Sequence, residues 1–396
     1  MEENLLRSLD LHVENLDILL ASYFKSGESL SVIKKAPVWK HDIKLQQLLS
    51  DIKSGSNLVV QTCIKIALLS VNIGVDLSPL FNDLLAQCSS LHSTYLLFLD
   101  QSLSRCLFEW VSRAIREFFT HIRSVIVNIV QNPSAVTYLV GLVTRIHEED
   151  ILKFPLANKV AFRRYIMQCC SVVKETAAEF RTYLSESTLK IKAGEASEVD
   201  IDDNGETGSN DDDEDEDDEE VEHYSSQEVS VVSVCVSLMD VTLDIMKFAL
   251  SSITSISDAI YSTGTEDTMS SVDDRAELCA INDNWVESVT TASKQLESLV
   301  IDLGSELYPP LSVSPKDMST FLSYSNSAVP SDRTSAETEE GSSELVMHFL
   351  QLHRVALQQL TLLEETALAA FHNEEFSRGI RSLRNRLALC IIQTDC

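Results

Sequence analysis

The chain has 396 residues, 44% of them hydrophobic, and carries 61 acidic against 31 basic residues for a net charge of −30. That length supports two domains with real cores, and the charge disfavours nucleic acid and anionic membrane surfaces while favouring basic partners. Nine scattered cysteines, odd in number and without a CxxC spacing, fit a reducing compartment rather than secretion.

Met1-Glu2-Glu3-Asn4 opens with acids rather than a basic region, so no secretory leader is expected. No run of 18 uninterrupted apolar residues predicts a membrane span, and Cys396 is last rather than fourth from the end, so no prenylation box is expected. With only 8 prolines and 11 glycines, long helices are expected. Leu5, Leu9, Val13, Leu16, Leu20 and Phe24 form one helical stripe. After a loop over residues 25–38, a short helix is predicted from His41 to Ile52, a break at Gly55, and a second helix from Asn57 to Ile73. Ser78-Pro79 supplies a capping hydroxyl and a proline suited to the first turn, opening a helix to about Leu99. Helices from Ser102 to Val130 and from Asn132-Pro133 to Glu149 follow. Phe154-Pro155 then turns the chain into a helix from Leu156 to Leu184, with Phe162, Ile166, Cys169, Val173, Ala177 and Phe180 at core spacing.

Between Glu198 and Glu222 there are 16 carboxylates and no Lys or Arg. No core absorbs that charge density, because each carboxylate would leave water unpaired. Residues 193–224 are therefore expected to be a disordered acidic linker, either a tether between two folded halves or a loop thrown out of one helical body. Asp211, Asp212, Asp213, Glu214, Asp217 and Glu220 are its candidate partner-binding residues: a polyanion mimic for basic tails such as those of histones or import factors, against the plainer reading of a solubilising spacer. Ser209 and Ser225 each have an acid three residues downstream, the pattern of acid-directed phosphorylation.

Beyond it, Val229 to Tyr261 opens with a β-branched run but continues with Cys235, Leu238, Thr242, Ile245, Ala249 and Ile253 on one helical face, which predicts helix throughout. From Asp273 to Leu307, Trp285, Val289, Ala292, Leu296, Leu299 and Leu303 alternate four- and three-residue steps, the spacing of helices packed nearly parallel. Tyr308-Pro309-Pro310 stops this helix; the same three residues are candidate partner contacts. A short helix at Ser314-Pro315, a mobile loop at about 326–343, and helices from Leu345 to Ala370 and Phe376 to Ile392 complete the chain. The expected fold is all-α, antiparallel up-and-down bundles divided as 1–192, an acidic linker 193–224, and 225–396.

No GxSxG, P-loop, HExxH or Cys/His metal spacing occurs, so neither catalysis nor a metal or other cofactor is expected. His147-Glu148-Glu149-Asp150 offers ligands in one run, but helix neighbours point to different faces. Adjacent Cys169-Cys170 reads as packing rather than redox chemistry. No basic segment precedes a helix as a DNA-reading helix-loop-helix requires. Arg7-Ser8-Leu9 and Arg105-Cys106-Leu107-Phe108 match a short Arg-x-Leu docking pattern, with Arg7 and Leu9 the better-exposed candidate near the N-terminus. The helical stripes put the same Leu and Phe residues in a core, and a docking peptide must be extended.

Phe154-Pro155-Leu156-Ala157-Asn158-Lys159, the acidic segment after the next helix, and Asp283-Asn284-Trp285 through Leu303 to Tyr308-Pro309-Pro310 occur in an order that resembles the cyclin-D-interacting (cyclin-D1-binding, Maid-like) family. The resemblance covers roughly residues 58–322. The first 57 residues, the segment 326–343 and the helix beyond Phe376 depart from it. It implies a helical bundle similar to those of vinculin and α-catenin, found in nucleus and cytoplasm. It further implies a negative regulator of the cell cycle that binds D-type cyclins and helix-loop-helix proteins without contacting DNA. An acidic adaptor for basic proteins and a cytoskeletal adaptor on a vinculin-like bundle are the alternative functions. Oligomeric state is not fixed by the sequence.

Overall fold

A computed structural model describes residues 2–25, 43–70, 75–101, 103–197, 223–262, 272–311, 344–370 and 374–392. Among these the chain forms ten α-helices and no strand: α1 Glu2–Lys25, α2 Ile43–Ser70, α3 Ser78–Leu99, α4 Arg105–Gln131, α5 Val136–Ile146, α6 Asn158–Ser197, α7 Ser226–Ser262, α8 Val272–Ser305, α9 Glu344–Ala370 and α10 Glu374–Ile392. A 3-10 turn, Pro133–Ala135, leads into α5, and a π turn, His147–Ile151, leaves it. The fold is an all-α helical bundle. The expected helix at Ser314 and loop at 326–343 lie outside the described residues.

Two compact units divide the chain: residues 1–165 with 266–287, and residues 166–265 with 288–396. They do not coincide with the halves 1–192 and 225–396 read from the sequence, because α6 and α8 each run unbroken through a boundary between units.

In the first unit α2 packs on α3 and α5, while α1 and α5 pack on α4. The core gathers Tyr95, Phe98, Phe118 and Phe119 from α3 and α4, all fully buried. Two polar pairs are buried with it: the Tyr95 hydroxyl meets Ser112 Oγ at 2.8 Å, and Ser56 Oγ meets His147 Nδ1 at 3.0 Å. Gly55 does not break the helix as expected. Its missing methyl lies against Leu91, 3.5 Å from where a Cβ would be, and the burial of Ile52, Ser56 and Val59 around it outweighs glycine's weak propensity. Ser78 is not the cap either: Asp76 Oδ1 accepts the Ser78 N–H at 2.9 Å while Pro79 sits in the first turn. Ser104 caps α4, its Oγ accepting the Leu107 N–H at 3.2 Å.

In the second unit α7 is the central element. Val231, Val232, Cys235, Leu238, Met239 and Ile245 are buried around its circumference, and α9 and α10 pack on it. This explains two features of its sequence. The β-branched opening is helical because burial overrides local preference. The stretch Ser226–Thr254 is long and apolar enough to cross a membrane, yet 67% of its most apolar window is buried in protein. Gln359 on α9 donates to Ser293 Oγ on α8 at 3.0 Å in the fully buried interior.

Candidate partner-binding surfaces

The Arg-x-Leu patterns come first. Arg7 is exposed, but Leu9 is 0% exposed inside the first unit. The α1 helix that carries them is fastened to α4 by ion pairs of Asp10 with Arg123 and Asp17 with Arg116. His12 stacks on His92 of α3 with ring centroids 4.1 Å apart, and leans on Phe119 at 5.5 Å. Burial, and then the neighbouring His92, lower the His12 pKa from 6.5 to about 4; burial lowers that of His92 as well. In the second pattern Leu107 and Phe108 are core residues and Arg105 pairs with Glu109 at 3.0 Å. Neither pattern is presented as an extended peptide; both are helix surface with a buried apolar side.

Asp211, Asp212, Asp213, Glu214, Asp217 and Glu220 lie outside the described residues, but the segment's two ends do not. It leaves from α6 and returns at Tyr224, whose backbone N–H donates to Ser187 Oγ of α6 at 3.1 Å. The Tyr224 hydroxyl donates to the Leu307 carbonyl, and burial pushes its pKa up. Arg181 of α6 pairs with Asp240 of α7. Both ends therefore belong to the second unit, which favours the loop over the tether.

Tyr308-Pro309-Pro310 follows α8 in the same unit. The half-exposed Tyr308 donates its hydroxyl to Glu179 at 2.7 Å, and its ring meets Phe180 edge-on at 5.2 Å and Tyr183 at 6.0 Å. Gly304 permits this approach: a Cβ there would stand 3.0 Å from Thr176 and 3.2 Å from Phe180. The Pro309–Pro310 peptide is cis. The turn is thus a packed helix end with one exposed rim, Tyr308 and Pro310.

A further surface was not legible in the sequence. Between α2 and α5 of the first unit runs an open trough of about 660 Å³, floored by Ile64, Ala67, Leu68, Val140 and Gly141. Thr137 and Thr144 line it, and Arg145 and Glu148 stand at one end. Leu68 is 68% exposed and Tyr138 on α5 70%. A Cβ at Gly141 would meet nothing within 4 Å.

Cys169 and Cys170 are placed for packing rather than chemistry. Burial, then a hydrogen bond to Glu297, push the Cys169 thiol up; Lys294 holds the same carboxylate through contacts of 2.8 Å to both oxygens. Burial pushes Cys170 up to about 11. Reactive cysteines show the opposite shift. Among the described residues no group of three or more His, Cys, Asp or Glu is arranged to hold a metal ion.

The chain of residues 154–159 is architectural. Phe154 is buried, its carbonyl accepts from Lys53 Nζ at 3.2 Å, and Asn158 Oδ1 accepts the Ser104 N–H at 2.8 Å, joining the starts of α4 and α6. Comparison of the chain with protein-family models and with curated proteins finds no match.

Proposed function

We propose that this chain is a non-enzymatic regulator that sequesters helical protein partners, acting in the cytoplasm and nucleus. D-type cyclins and helix-loop-helix factors are the partners that the sequence resemblance implies. Holding such a partner denies it to others and lowers cell-cycle signalling. The observation that carries the reading is the α2–α5 trough. Ile64 and Leu68 on its floor are exposed while Ala67 and Val140 are buried, and Gly141 leaves room for close approach. An amphipathic helix suits such a site, with apolar residues at i, i+3 and i+4 laid along the floor, where a half-buried Leu or Ile is worth about 1 kcal/mol.

The test is capture of a D-type cyclin and a helix-loop-helix factor by three forms of the full chain: unaltered, Leu68→Asp, and lacking residues 198–222. Leu68 is largely exposed, so its substitution leaves the fold intact while placing a charge on the floor. Capture lost in Leu68→Asp and kept in the deletion supports the reading; capture indifferent to Leu68→Asp overturns it. The second reading, an acidic adaptor for histones and other basic proteins, draws on the concentration of 16 carboxylates in a segment anchored at one unit. It predicts the reverse: basic proteins lost with the deletion and released by moderate salt.

A further inference from the structure

The start of α7 carries more bonds than a helix cap requires. Ser225 is exposed, and its Oγ accepts the Glu228 N–H at 3.4 Å. Glu228 is 7% exposed and spends both carboxylate oxygens: one accepts the Ser225 N–H at 2.7 Å, the other the Leu311 N–H at 2.8 Å. The reciprocal Ser–Glu bonds form a capping box. The bond to Leu311 extends that box to the turn after α8. With the Tyr224 hydroxyl on the Leu307 carbonyl, the segment Leu307–Leu311 is held at both ends by the first residues of α7 and its lead-in. Tyr308-Pro309-Pro310 lies between those two fastenings.

Ser225 also stands in an acidic frame: Glu219, Glu220 and Glu222 precede it and Glu228 follows three residues on. We infer that Ser225 is a phosphorylation site for an acid-directed protein kinase, and that its modification unfastens the Leu307–Leu311 turn from α7. The Ser225 Oγ attacks the γ-phosphorus of ATP. An O–P bond forms, the bond to the β-phosphate oxygen breaks, ADP leaves, and the hydroxyl proton passes to the kinase's base. Ser225 is exposed and residues 223–225 are non-helical, so the hydroxyl is within a kinase's reach.

The product carries nearly two negative charges. The first-turn N–H groups of α7 donate to an anion there, so the helix keeps its cap. The Glu228 carboxylate, however, already occupies the N–H of the same residue. Two anions on the two facing amides of one capping box, one of them shielded from water, repel strongly. The phosphate, with more charge and three acceptor oxygens, retains the helix start, and Glu228 is displaced. The Leu311 N–H then loses its acceptor.

The experiment treats the full chain with ATP and an acid-directed serine/threonine kinase. Phosphate is located by mass spectrometry, and amide hydrogen exchange is followed in peptides spanning residues 306–311. A parallel sample of Ser225→Ala, still carrying Ser209, receives the same treatment, with Ser225→Thr in reserve as a variant that keeps the capping hydroxyl. The expected result is phosphate on Ser225 with exchange at 306–311 faster by roughly tenfold, the middle of α7 unchanged, and no acceleration in Ser225→Ala. Phosphate on Ser209 but not Ser225 overturns the inference. So does phosphate on Ser225 without faster exchange, or equal acceleration in Ser225→Ala.

Discussion

The His12–His92 stack makes the attachment of α1 sensitive to acid. Both rings are neutral in the folded chain, since burial opposes charging and protonating one disfavours protonating the other. The groups that face the stack are Ser8 of α1, Tyr95 of α3 and Phe119 of α4, with the Asp10–Arg123 and Asp17–Arg116 pairs along the seam of α1 and α4. His12 has its pKa lowered from 6.5 to about 4. Between those values the unfolded chain binds the proton and the folded chain does not, so stability falls as pH drops through 6.5 and the loss is complete below about 4. At pH 5 a fully buried group with that shift would cost about 2 kcal/mol relative to pH 7; His12 is half-buried, and screening reduces this to about 1 kcal/mol. In a unit of this size that is a fall in Tm of about 2–4 °C. The assay is thermal unfolding from pH 7 to 5 for the unaltered chain and His12→Gln, which retains a polar group near Ser8 but cannot titrate. The difference between the two melting temperatures should shift by that amount over the interval, and exchange protection in α1 should fall further in the unaltered chain than in His12→Gln, where His92 alone titrates. Parallel pH profiles for both chains would refute the reasoning.

Other outcomes follow from the packing. Gly141→Ala should stabilise the chain by about 0.5–1 kcal/mol in urea unfolding, because the methyl meets open space and alanine favours a helix interior. Gly379→Ala should instead destabilise by about 1 kcal/mol or more, since its Cβ would stand 2.6 Å from Phe248, whose ring is already packed on Phe376 at 4.9 Å. Thr242 is fully buried and its hydroxyl has no partner, so Thr242→Val should raise stability by about 1 kcal/mol; a loss would show that the hydroxyl is bonded in solution. Tyr224→Phe removes the donor from the buried Leu307 carbonyl and should cost about 1 kcal/mol, seen together with faster exchange at Leu307–Leu311.

Periodicity revealed the helices and most of their inner faces. Leu9 and Leu16 of α1, Phe162 to Phe180 of α6, and Val289, Leu296, Leu299 and Leu303 of α8 are buried where the stripes put them. What escaped was whatever depends on a second helix. Gly55 stays helical because Leu91 covers it. The division into units escaped for the same reason: a helix with one continuous stripe gives no sign of serving two cores in succession. At the candidate sites the stripe that placed Leu9 in a core already argued against a docking peptide, and Leu9 is fully buried. The trough required α2 and α5, far apart in sequence, to meet. Its local trace is slight: Ile64 and Leu68 fall off the buried face of α2, and Gly141 interrupts a largely apolar α5.

The two modes of partner capture differ in physics as well as in location, and this makes them separable on one protein. The trough belongs to the first unit, and its floor offers area rather than charge. Burial of apolar surface is not screened by ions, and excluded salts strengthen it. The acidic segment is fastened to the second unit through Tyr224 and Ser187 and offers charge with little area. Its attraction for a basic tail decays over a screening length that shrinks from about 10 Å at 0.1 M salt to about 3 Å at 1 M. A partner that stays bound through that range and is lost in Leu68→Asp is held by the trough. One that leaves as salt rises and ignores Leu68→Asp is held by the carboxylates. A partner that requires both is bound bivalently: each substitution alone then weakens it by the loss of an effective concentration rather than of all contacts, and the salt dependence persists at reduced slope.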